Sequence, residues 1–273
     1  MNELRIIAET VAAAAAEQAA RLRVAGVEVA GVKSSQTDVV TLADQQTETW
    51  IRDELARLRP RDGILGEEGN SVTGTSGITW IVDPIDGTVN YLYAIPQWAV
   101  SIAAVEGDPD PATWTALAGA VANPGPGEVY AAVRGEGAYL GEHRLELEPK
   151  HDLGRALVAT GFGYAAKRRA AQARMLTAVL PRVRDIRRMG AASLDLCAVA
   201  TGRVDAYYEV GLKPWDHAAG VLVAREAGAI LGGPGGAGTP PLEAFAWACN
   251  PGLAEPFADL LTAARADIPE ADW

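Results

Sequence analysis

Residue types that can do chemistry are concentrated in the run Trp80–Thr88, which reads WIVDPIDGT. An apolar, β-branched segment ends there in Asp83, and Asp86 follows three positions later. Two carboxylates where a strand gives way to a turn suit a hard cation better than a packed core. Gly87 and Thr88 then resemble the entrance to a helix, where free backbone N–H groups favour an anion. A cation site beside an anion site predicts metal-assisted chemistry on a phosphate.

Further carboxylates stand at the ends of expected elements on both sides of this run. Asp44 precedes an expected helix, Glu67 follows a short apolar strand, and Asp216 lies in the first turn of a helix that begins at Pro214. Each has a simpler interpretation. Asp44 or Thr41 could cap its helix, Glu67 could be a solvated strand end, and Asp216 could only stabilise the helix dipole. These alternatives stay open for each residue taken alone.

Together the candidates form an all-oxygen donor set of five carboxylates and one hydroxyl: Asp44, Glu67, Asp83, Asp86, Thr88 and Asp216. The three histidines, His143, His151 and His217, are scattered along the chain, which argues against a zinc site. Carboxylates, waters and substrate phosphate are the ligands that Mg²⁺ prefers. The pattern therefore favours magnesium.

The elements that must position these residues change character along the chain. An Ala-rich helix over Leu4–Val24 and a second helix over Gln45–Leu58 precede a series of strands, which predicts a largely antiparallel sheet in the first half. From Leu153 onward, strands and helices alternate, which indicates a mixed α/β second half. We expect an N-terminal α+β half, residues 1–150, with most of the metal ligands. A C-terminal α/β half, residues 151–273, would supply substrate-pocket residues and Asp216 within one compact catalytic unit.

Composition narrows the function classes. The chain has 273 residues, 49% hydrophobic and 22% charged, and a formal net charge of −11. That charge argues against a nucleic-acid-coating protein, because nothing would neutralise a phosphate backbone. Cys197 and Cys249 lack metal-site spacing and are expected to be buried free thiols, with a single disulfide as the alternative. With no signal peptide and no apolar run long enough to cross a bilayer, a cytoplasmic location is expected.

Several motifs in a fixed order resemble the inositol monophosphatase family, whose members are Mg²⁺-dependent, lithium-sensitive sugar-phosphate phosphatases. They are Gly66–Glu68, Asp83–Thr88 and Trp215–Gly220, supported by Lys33–Ser35, Ala43–Asp44 and Asp205–Glu209. The resemblance extends from about Val32 to Gly228, most of the chain. It implies an αβαβα sandwich, an α/β (α+β layered) fold, and a homodimer.

The resemblance also implies metal ligands. Glu67, Asp83 and the backbone carbonyl of Ile85 would hold one Mg²⁺, and Asp83, Asp86 and Asp216 a second. A third, weaker ion would lie near Glu67. Metal binding lowers the pKa of water, which makes its deprotonation by a protein group feasible near neutral pH.

Catalytic and substrate-binding roles follow from the same resemblance. Thr88 and Asp44 would orient and deprotonate the attacking water, with Glu67 as a further catalytic residue. Backbone N–H groups of Gly87 and Thr88 would receive phosphate oxygens, and Glu209 would bind a substrate hydroxyl. The implied substrate-binding residues are Asp86, Gly87, Thr88, Ala192, Glu209 and Asp216.

The expected reaction is hydrolysis of a small phosphate monoester, with inositol 1-phosphate as the leading substrate. The segment Gly190–Ser193 departs from the family pattern, because Ala191 stands where Ser or Thr is common. Histidinol phosphate and fructose 1,6-bisphosphate therefore remain alternative substrates, and a phosphatase-like binding or regulatory protein is the alternative from another class. No nucleic-acid or membrane partner is expected. His217 is interpreted as a packing residue of its helix rather than a ligand.

Overall fold

The computed structural model describes residues 1–32, 39–266, 268, 269 and 272. Its described part contains seven α-helices: α1 (Asn2–Ala25), α2 (Leu42–Leu58), α3 (Thr88–Leu92), α4 (Ala166–Val179), α5 (Ala192–Ala200), α6 (Pro214–Glu226) and α7 (Ala254–Ala266). The strands of the first half are β1 (Val29–Val32), β2 (Val39–Thr41), β3 (Gly63–Gly66), β4 (Ile78–Asp86), β5 (Ala99–Glu106), β6 (Thr115–Asn123), β7 (Glu128–Val133), β8 (Gly137–Leu140) and β9 (His143–Leu145). Those of the second half are β10 (Leu157–Thr160), β11 (Asp185–Arg187), β12 (Ala206–Glu209), β13 (Ile230–Gly233), β14 (Gly236–Ala237) and β15 (Ala246–Cys249).

The first large sheet contains seven strands in sequence order, β3 to β9. All neighbours are antiparallel except β3 and β4. Both of its faces are covered, and the side chains of β5 alternate between them. Val100 and Ile102 belong to the core under α1 and α2, whereas Ala99 and Ala103 belong to the core under α5 and α6. The expected antiparallel first half is confirmed.

The second sheet contains six strands in the order β11-β10-β12-β15-β13-β14. β11, β10 and β12 are parallel, and the remaining pairs are antiparallel. Along β12, Ala206 and Tyr208 face the core shared with α4 and α7, and Tyr207 faces the core shared with α5 and α6. The mixed second half is confirmed as well.

The layers follow the order α1 and α2, first sheet, α5 and α6, second sheet, α4 and α7. This is the expected αβαβα sandwich. Small residues bring the central layer close to its neighbours. A Cβ on Gly119 of β6 would lie 3.2 Å from Ala219 of α6, and one on Gly220 would lie 2.9 Å from Leu196 of α5. The Ala-Ala-Gly segment after His217 therefore has a packing reason, since it seats the start of α6 between the two sheets.

Several element boundaries differ from expectation. Helix α2 begins at Leu42 rather than Gln45, and β4 continues to Asp86 rather than ending at Val82. The sequence predicts a flexible loop over Gly232–Pro241, but Gly232 and Gly233 belong to strand β13. The backbone of β13 pairs with β15 although Gly232 contributes no side chain. The motif residues Lys33–Ser35 lie outside the described residues.

Three further expectations have different outcomes. Cys197 and Cys249 are both buried and free, as expected. Within the described residues, no helix is long and apolar enough to span a bilayer. The division of the chain at residue 150 remains a prediction.

Candidate active site

Asp83 and Asp86 lie on the same face of the first sheet because of a bulge. In a regular strand, residues three apart would point to opposite faces. Asp83 pairs with Ser101 of β5 and Asp86 pairs with Ala99, so three steps along β4 match two steps along β5. The extra residue reverses the alternation and turns both carboxylates toward the central helical layer. The expectation that the strand ends before Asp83 is wrong, and the bulge within β4 provides the bend instead.

The residues after Asp86 form a tight entry into a short helix. Gly87 has φ of 92°, a left-handed conformation, and a Cβ there would lie 3.1 Å from the carbonyl oxygens of Gln97 and Gly190. Glycine is therefore required by both backbone conformation and space. The five-residue α3 follows, beginning at Thr88. The N–H groups of Gly87 and Thr88 stand at this first turn, where backbone donors have no partner within the helix.

Thr88 and Asp44 come together although they are 44 positions apart in sequence. Thr88 Oγ1 lies 3.1 Å from Asp44 Oδ1 and 3.1 Å from the carbonyl oxygen of Ile85, so its single proton can be donated to either. Ile85 itself is fully buried. The structure thus places the two residues of the expected water-activating pair in direct hydrogen-bond contact.

Asp44 is held by the first turn of α2. Asp44 Oδ2 accepts hydrogen bonds from the backbone N–H of Thr41, at 2.9 Å, and from the Thr41 hydroxyl. The backbone N–H of Asp44 in turn donates to Thr41 Oγ1, which completes a capping box. The two capping alternatives are therefore both correct. The helix cap and the contact with Thr88 use different oxygens of one buried carboxylate.

Glu67 follows β3, beside the end of β4, in a loop fixed by a residue that sequence reasoning missed. Glu48, fully buried on α2, accepts 2.7 Å hydrogen bonds from the backbone N–H groups of Glu68 and Gly69. Arg52, one helical turn further on, pairs with Glu48 at 2.7 Å. The Glu48–Arg52 spacing was visible in the sequence, but it also fits an ordinary surface ion pair.

Asp86 connects the two halves of the molecule. Its carboxylate accepts hydrogen bonds from the backbone N–H groups of Ala192 at 3.2 Å and Ser193 at 2.7 Å, at the start of α5, and from the Ser193 hydroxyl. Burial raises the pKa of Asp86 to about 6, while these hydrogen bonds and the charge of Arg188 act to lower it. The N–H of Ala192, a residue expected to bind substrate, is directed at Asp86 here.

Asp216 lies in the first turn of α6. Its Oδ2 accepts a 2.7 Å hydrogen bond from the backbone N–H of Lys213, which closes a capping interaction at the helix start. Burial, followed by the negative charges of Glu67 and Asp86, raises the pKa of Asp216 well above its ordinary value. Its neighbour His217 is 2% exposed and packs within α6, and burial lowers the pKa of this histidine to about 4.

Glu209 ends β12 and faces the same region. Tyr207 donates a 2.7 Å hydrogen bond to Glu209 Oε2. A Cβ on Gly161 would lie 1.9 Å from this oxygen, so the glycine leaves room for the carboxylate. Burial raises the pKa of Glu209 to about 7, against the lowering effect of Tyr207 and Arg188.

Two further charged residues surround this group and were not anticipated. Asp195 of α5 is 1% exposed, its Oδ1 has no hydrogen-bond partner, and burial with the charges of Glu209 and Asp86 raises its pKa well above the usual range. Arg188 contributes positive charge that lowers the pKa values of Asp86, Asp195 and Glu209. Asp195 is the one charged residue in the sequence of α5, ASLDLCAVA, and this was the available signal.

The donor chemistry fits a hard divalent cation. The acids Glu67, Asp86 and Asp216 act on one another unfavourably, and a cation would relieve that repulsion. Across the described ranges, no three His, Cys, Asp or Glu side chains are already gathered as a ligand set. The carboxylates of Asp86 and Asp216 instead accept hydrogen bonds from backbone N–H groups. The residues therefore fit a metal by charge and donor type, and binding would draw on oxygens that now stabilise helix starts.

Comparisons with known proteins identify the family. The model of the inositol monophosphatase family matches residues 1–267. The chain is 48% identical over 257 residues to the inositol-1-monophosphatase SuhB of Mycobacterium tuberculosis, covering 86% of this chain and 87% of that protein. It is 43% identical over 202 residues to the Nus factor SuhB of Xylella fastidiosa, covering 73% and 70%. The crystal structure of SuhB from Bartonella henselae superposes with a TM-score of 0.84 at 32% identity, covering 97% of this chain and 100% of the other.

The layered fold and these matches define an enzyme that hydrolyses phosphoric monoesters. The chain belongs to the inositol monophosphatase family.

Proposed function

We propose that this enzyme hydrolyses a small phosphate monoester in a Mg²⁺-dependent reaction, with inositol 1-phosphate as its leading substrate. The observation that carries the proposal is the 3.1 Å contact between Thr88 Oγ1 and Asp44 Oδ1, directly after the strand that bears Asp83 and Asp86. It joins a proton-accepting pair to a cluster of acids. The names of the 48%-identical mycobacterial relatives support inositol 1-phosphate as the substrate.

The metal would be held by residues of both halves. Glu67, Asp83 and the carbonyl oxygen of Ile85 would hold one Mg²⁺, and Asp83, Asp86 and Asp216 would hold another. A third, weaker ion would lie near Glu67. When bound, Mg²⁺ stabilises negative charge on the phosphoryl group and lowers the pKa of water. The raised pKa of Asp216 supports this assignment, since burial and then the negative charges of Glu67 and Asp86 raise it, and a cation would offset both effects.

Thr88 and Asp44 would move the proton of the attacking water. A lone pair of Thr88 Oγ1 accepts that proton while the hydroxyl gives its own proton to Asp44 Oδ1. The water oxygen would form a bond to phosphorus, the bond from phosphorus to the ester oxygen would break, and the departing alkoxide would take up a proton from solvent water. Asp44 would then release the proton it received to solvent. Asp44 is suited to this task because its second oxygen is fixed by Thr41, which keeps the first directed at Thr88.

Substrate recognition would combine both halves. The N–H groups of Gly87 and Thr88 would bind phosphate oxygens, and Glu209 would accept a hydrogen bond from a substrate hydroxyl. Further contacts are assigned to Asp86, Ala192 and Asp216. The Tyr207 hydrogen bond and the missing Cβ at Gly161 support the assignment of Glu209, because together they hold its carboxylate against the Gly161 backbone.

The direct test is a phosphate-release panel with and without Mg²⁺. It contains inositol 1-phosphate, histidinol phosphate, fructose 1,6-bisphosphate and an adenosine bisphosphate. We expect inositol 1-phosphate to have the highest kcat/KM and EDTA to abolish its release. A preference for histidinol phosphate or fructose 1,6-bisphosphate would replace the substrate and keep the chemistry. Undiminished release in EDTA would contradict the metal requirement.

A binding or regulatory function is the second candidate, favoured by one observation: the relative from Xylella fastidiosa is named a Nus factor. A pull-down that depends on the fold but is indifferent to Asp83→Asn would support it. For the phosphatase, we also propose that it forms a homodimer, is sensitive to lithium and is located in the cytoplasm. Analytical ultracentrifugation tests the first, and inhibition of phosphate release by lithium tests the second.

A further inference from the structure

The parallel pairing of β10 with β12 ends one residue before Glu209. The last partners are Thr160 and Tyr208, and the Thr160 hydroxyl also donates a 2.9 Å hydrogen bond to the carbonyl oxygen of Tyr208. Beyond this point β10 gives way to the loop Gly161–Gly163. Backbone groups that leave a sheet still need partners. The position of this loop relative to Glu209 must therefore be set by groups outside the pairing of the two strands.

Gln172 of α4 joins the two backbones where the pairing has ended. Its Oε1 accepts a 3.0 Å hydrogen bond from the N–H of Gly163, and its Nε2 donates to the carbonyl oxygens of Val210, at 3.3 Å, and Gly161, at 3.5 Å. This arrangement fixes the orientation of the amide, because an N–H needs an acceptor and a carbonyl needs a donor. Val210 directly follows Glu209. One side chain thus connects the loop to the residue after Glu209.

The burial of Gln172 indicates that these hydrogen bonds are the reason for a glutamine at this position. Gln172 is 6% exposed and lies among the buried residues of α4, which are otherwise Ala171, Met175 and Val179. A buried amide costs free energy unless its polar atoms are bonded. An apolar side chain would fill the same position without that cost. Packing alone therefore does not explain Gln172, whereas its three bonds to backbone groups do.

The loop that Gln172 holds lies directly against the carboxylate of Glu209. A Cβ on Gly161 would lie 1.9 Å from Glu209 Oε2, so the carboxylate rests on the Gly161 backbone. Arg169, also on α4, donates a 2.8 Å hydrogen bond from Nε to the carbonyl oxygen of Gly163. Helix α4 therefore holds both the N–H and the C=O of Gly163. A shift of the loop would change the surface that supports Glu209.

We propose that Gln172 is a positioning residue for the substrate-hydroxyl site. It fixes the loop Gly161–Gly163 relative to the end of β12, so that Glu209 is already oriented when the substrate hydroxyl arrives. This inference rests on the role of Glu209 in the proposed function. Gln172 bonds only backbone groups and acts through Glu209. Its loss should weaken substrate binding and leave the proton-transfer pair, Thr88 and Asp44, in place.

Steady-state kinetics of Gln172→Met with inositol 1-phosphate at saturating Mg²⁺ tests the proposal. Methionine keeps the length of the side chain and removes its hydrogen bonds. We expect KM to rise about tenfold and kcat to fall by less than about threefold. In a Glu209→Ala background, the same substitution should change KM by less than about twofold, because the group that Gln172 positions is absent.

Arg169→Met is a second variant whose folding is not at risk, because Arg169 is exposed. It removes one bond to the loop, so KM should rise about two- to threefold, and only when Glu209 is present. Arg174→Met is the matched control. Arg174 is exposed on the same helix, pairs with Asp272 at the C-terminal end of the chain, and should behave like the wild type when replaced.

The outcomes separate this inference from the proposed function. If Glu209→Ala raises KM but Gln172→Met and Arg169→Met do not, the positioning role is overturned and the proposed function stands. An equal rise of KM with and without the Glu209 carboxylate would mean a general loss of structure, which also overturns the positioning role. If Glu209→Ala itself leaves KM unchanged, the hydroxyl-binding role of Glu209 is wrong, and the inference fails with it.

Discussion

Asp44 and Asp216 stand on opposite sides of the candidate active site and are held differently. Asp44 is surrounded by donors, since the N–H and hydroxyl of Thr41 bond one oxygen and the hydroxyl of Thr88 bonds the other. Asp216 accepts a hydrogen bond from Lys213 and otherwise experiences burial and the charges of Glu67 and Asp86. The N-terminal side is stabilised by local hydrogen bonds, whereas the C-terminal side carries unfavourable electrostatic interactions.

This difference separates two tasks within one site. A proton acceptor works best when its orientation is fixed before substrate arrives, and the capping box of α2 fixes Asp44. A cation site gains affinity from carboxylates that repel each other, because the ion removes a cost already present in the fold. Variants on the two sides should therefore fail in different ways.

The largest effect is expected from Asp83→Asn. The amide keeps an oxygen that can accept the 3.1 Å hydrogen bond from the N–H of Ile85, so the fold should persist. The loss of charge should lower phosphate release by about 10³-fold or more, because Asp83 is assigned to both ions. Steady-state kinetics at high Mg²⁺ and a thermal melt test this together. Asp185→Asn is the control, because Asp185 is an exposed acid on β11. Near-normal turnover of Asp83→Asn would contradict the assignment of Asp83 as a metal ligand.

Thr88→Ala should have the next largest effect, now on the proton-transfer side. Without the hydroxyl, Asp44 loses its link to the attacking water, and kcat should fall about 10²–10³-fold. The Mg²⁺ concentration for half-maximal activity should change little, since Thr88 is not assigned as a ligand. Thr88→Ser, which retains the hydroxyl, should recover most of the activity. An unchanged kcat in Thr88→Ala would remove the pair from the mechanism.

Tyr207→Phe sharpens the comparison on the substrate side. It removes the 2.7 Å hydrogen bond to Glu209, so the pKa of Glu209, already raised to about 7, should rise further. We expect KM for inositol 1-phosphate to increase about 2–10-fold with a smaller change in kcat, and the pH dependence of KM to shift to higher pH. Tyr208→Phe is the control, because Tyr208 faces the opposite core. Identical pH profiles of KM in Tyr207→Phe and wild type would contradict the role of Glu209.

The sequence was most informative where one short segment carries the function. The motif around Asp83 and Asp86, the turn at Gly87 and the start of α6 at Pro214 were all predictable, because each depends on neighbouring residues. The bulge in β4 was not predictable from WIVDPIDGT, since it is defined by pairing with β5. A carboxylate three positions from another gives no indication of which face either will occupy.

Contacts between distant residues were beyond local patterns. Glu48 has the spacing of a surface ion pair with Arg52, yet it is buried and holds the backbone after Glu67. Arg188 and Asp195 reach the site because the first turn of α5 lies against Asp86, to which the N–H of Ser193 donates a hydrogen bond. Such placements depend on how the two sheets pack on the central helices, and no residue pattern within one segment encodes that distance.

The smallest expected effect is on stability, and it concerns the acids of the C-terminal side. After EDTA treatment, the protein should become more stable as the pH falls from about 8 to 6.5. A carboxyl whose pKa is raised in the folded state binds protons that the unfolded chain does not, so its contribution is lost as the pH rises through the raised pKa. Glu209, with a pKa of about 7, and Asp216, shifted in the same direction, both act in this window. His217 opposes them only below about pH 6.5, because its pKa is lowered to about 4.

The expected gain is about 1 kcal/mol, or roughly 2–4 °C in Tm, measured by thermal unfolding at the two pH values. Repeating the melts at saturating Mg²⁺ should reduce or reverse the slope, because the ion competes with protons for the same carboxylates. A Tm in EDTA that rises toward pH 8 would mean that repulsion among these acids does not lower the stability of the folded protein. The contrast between the two sides of the site would then lie in hydrogen bonding alone, and the cation would have no stored repulsion to relieve.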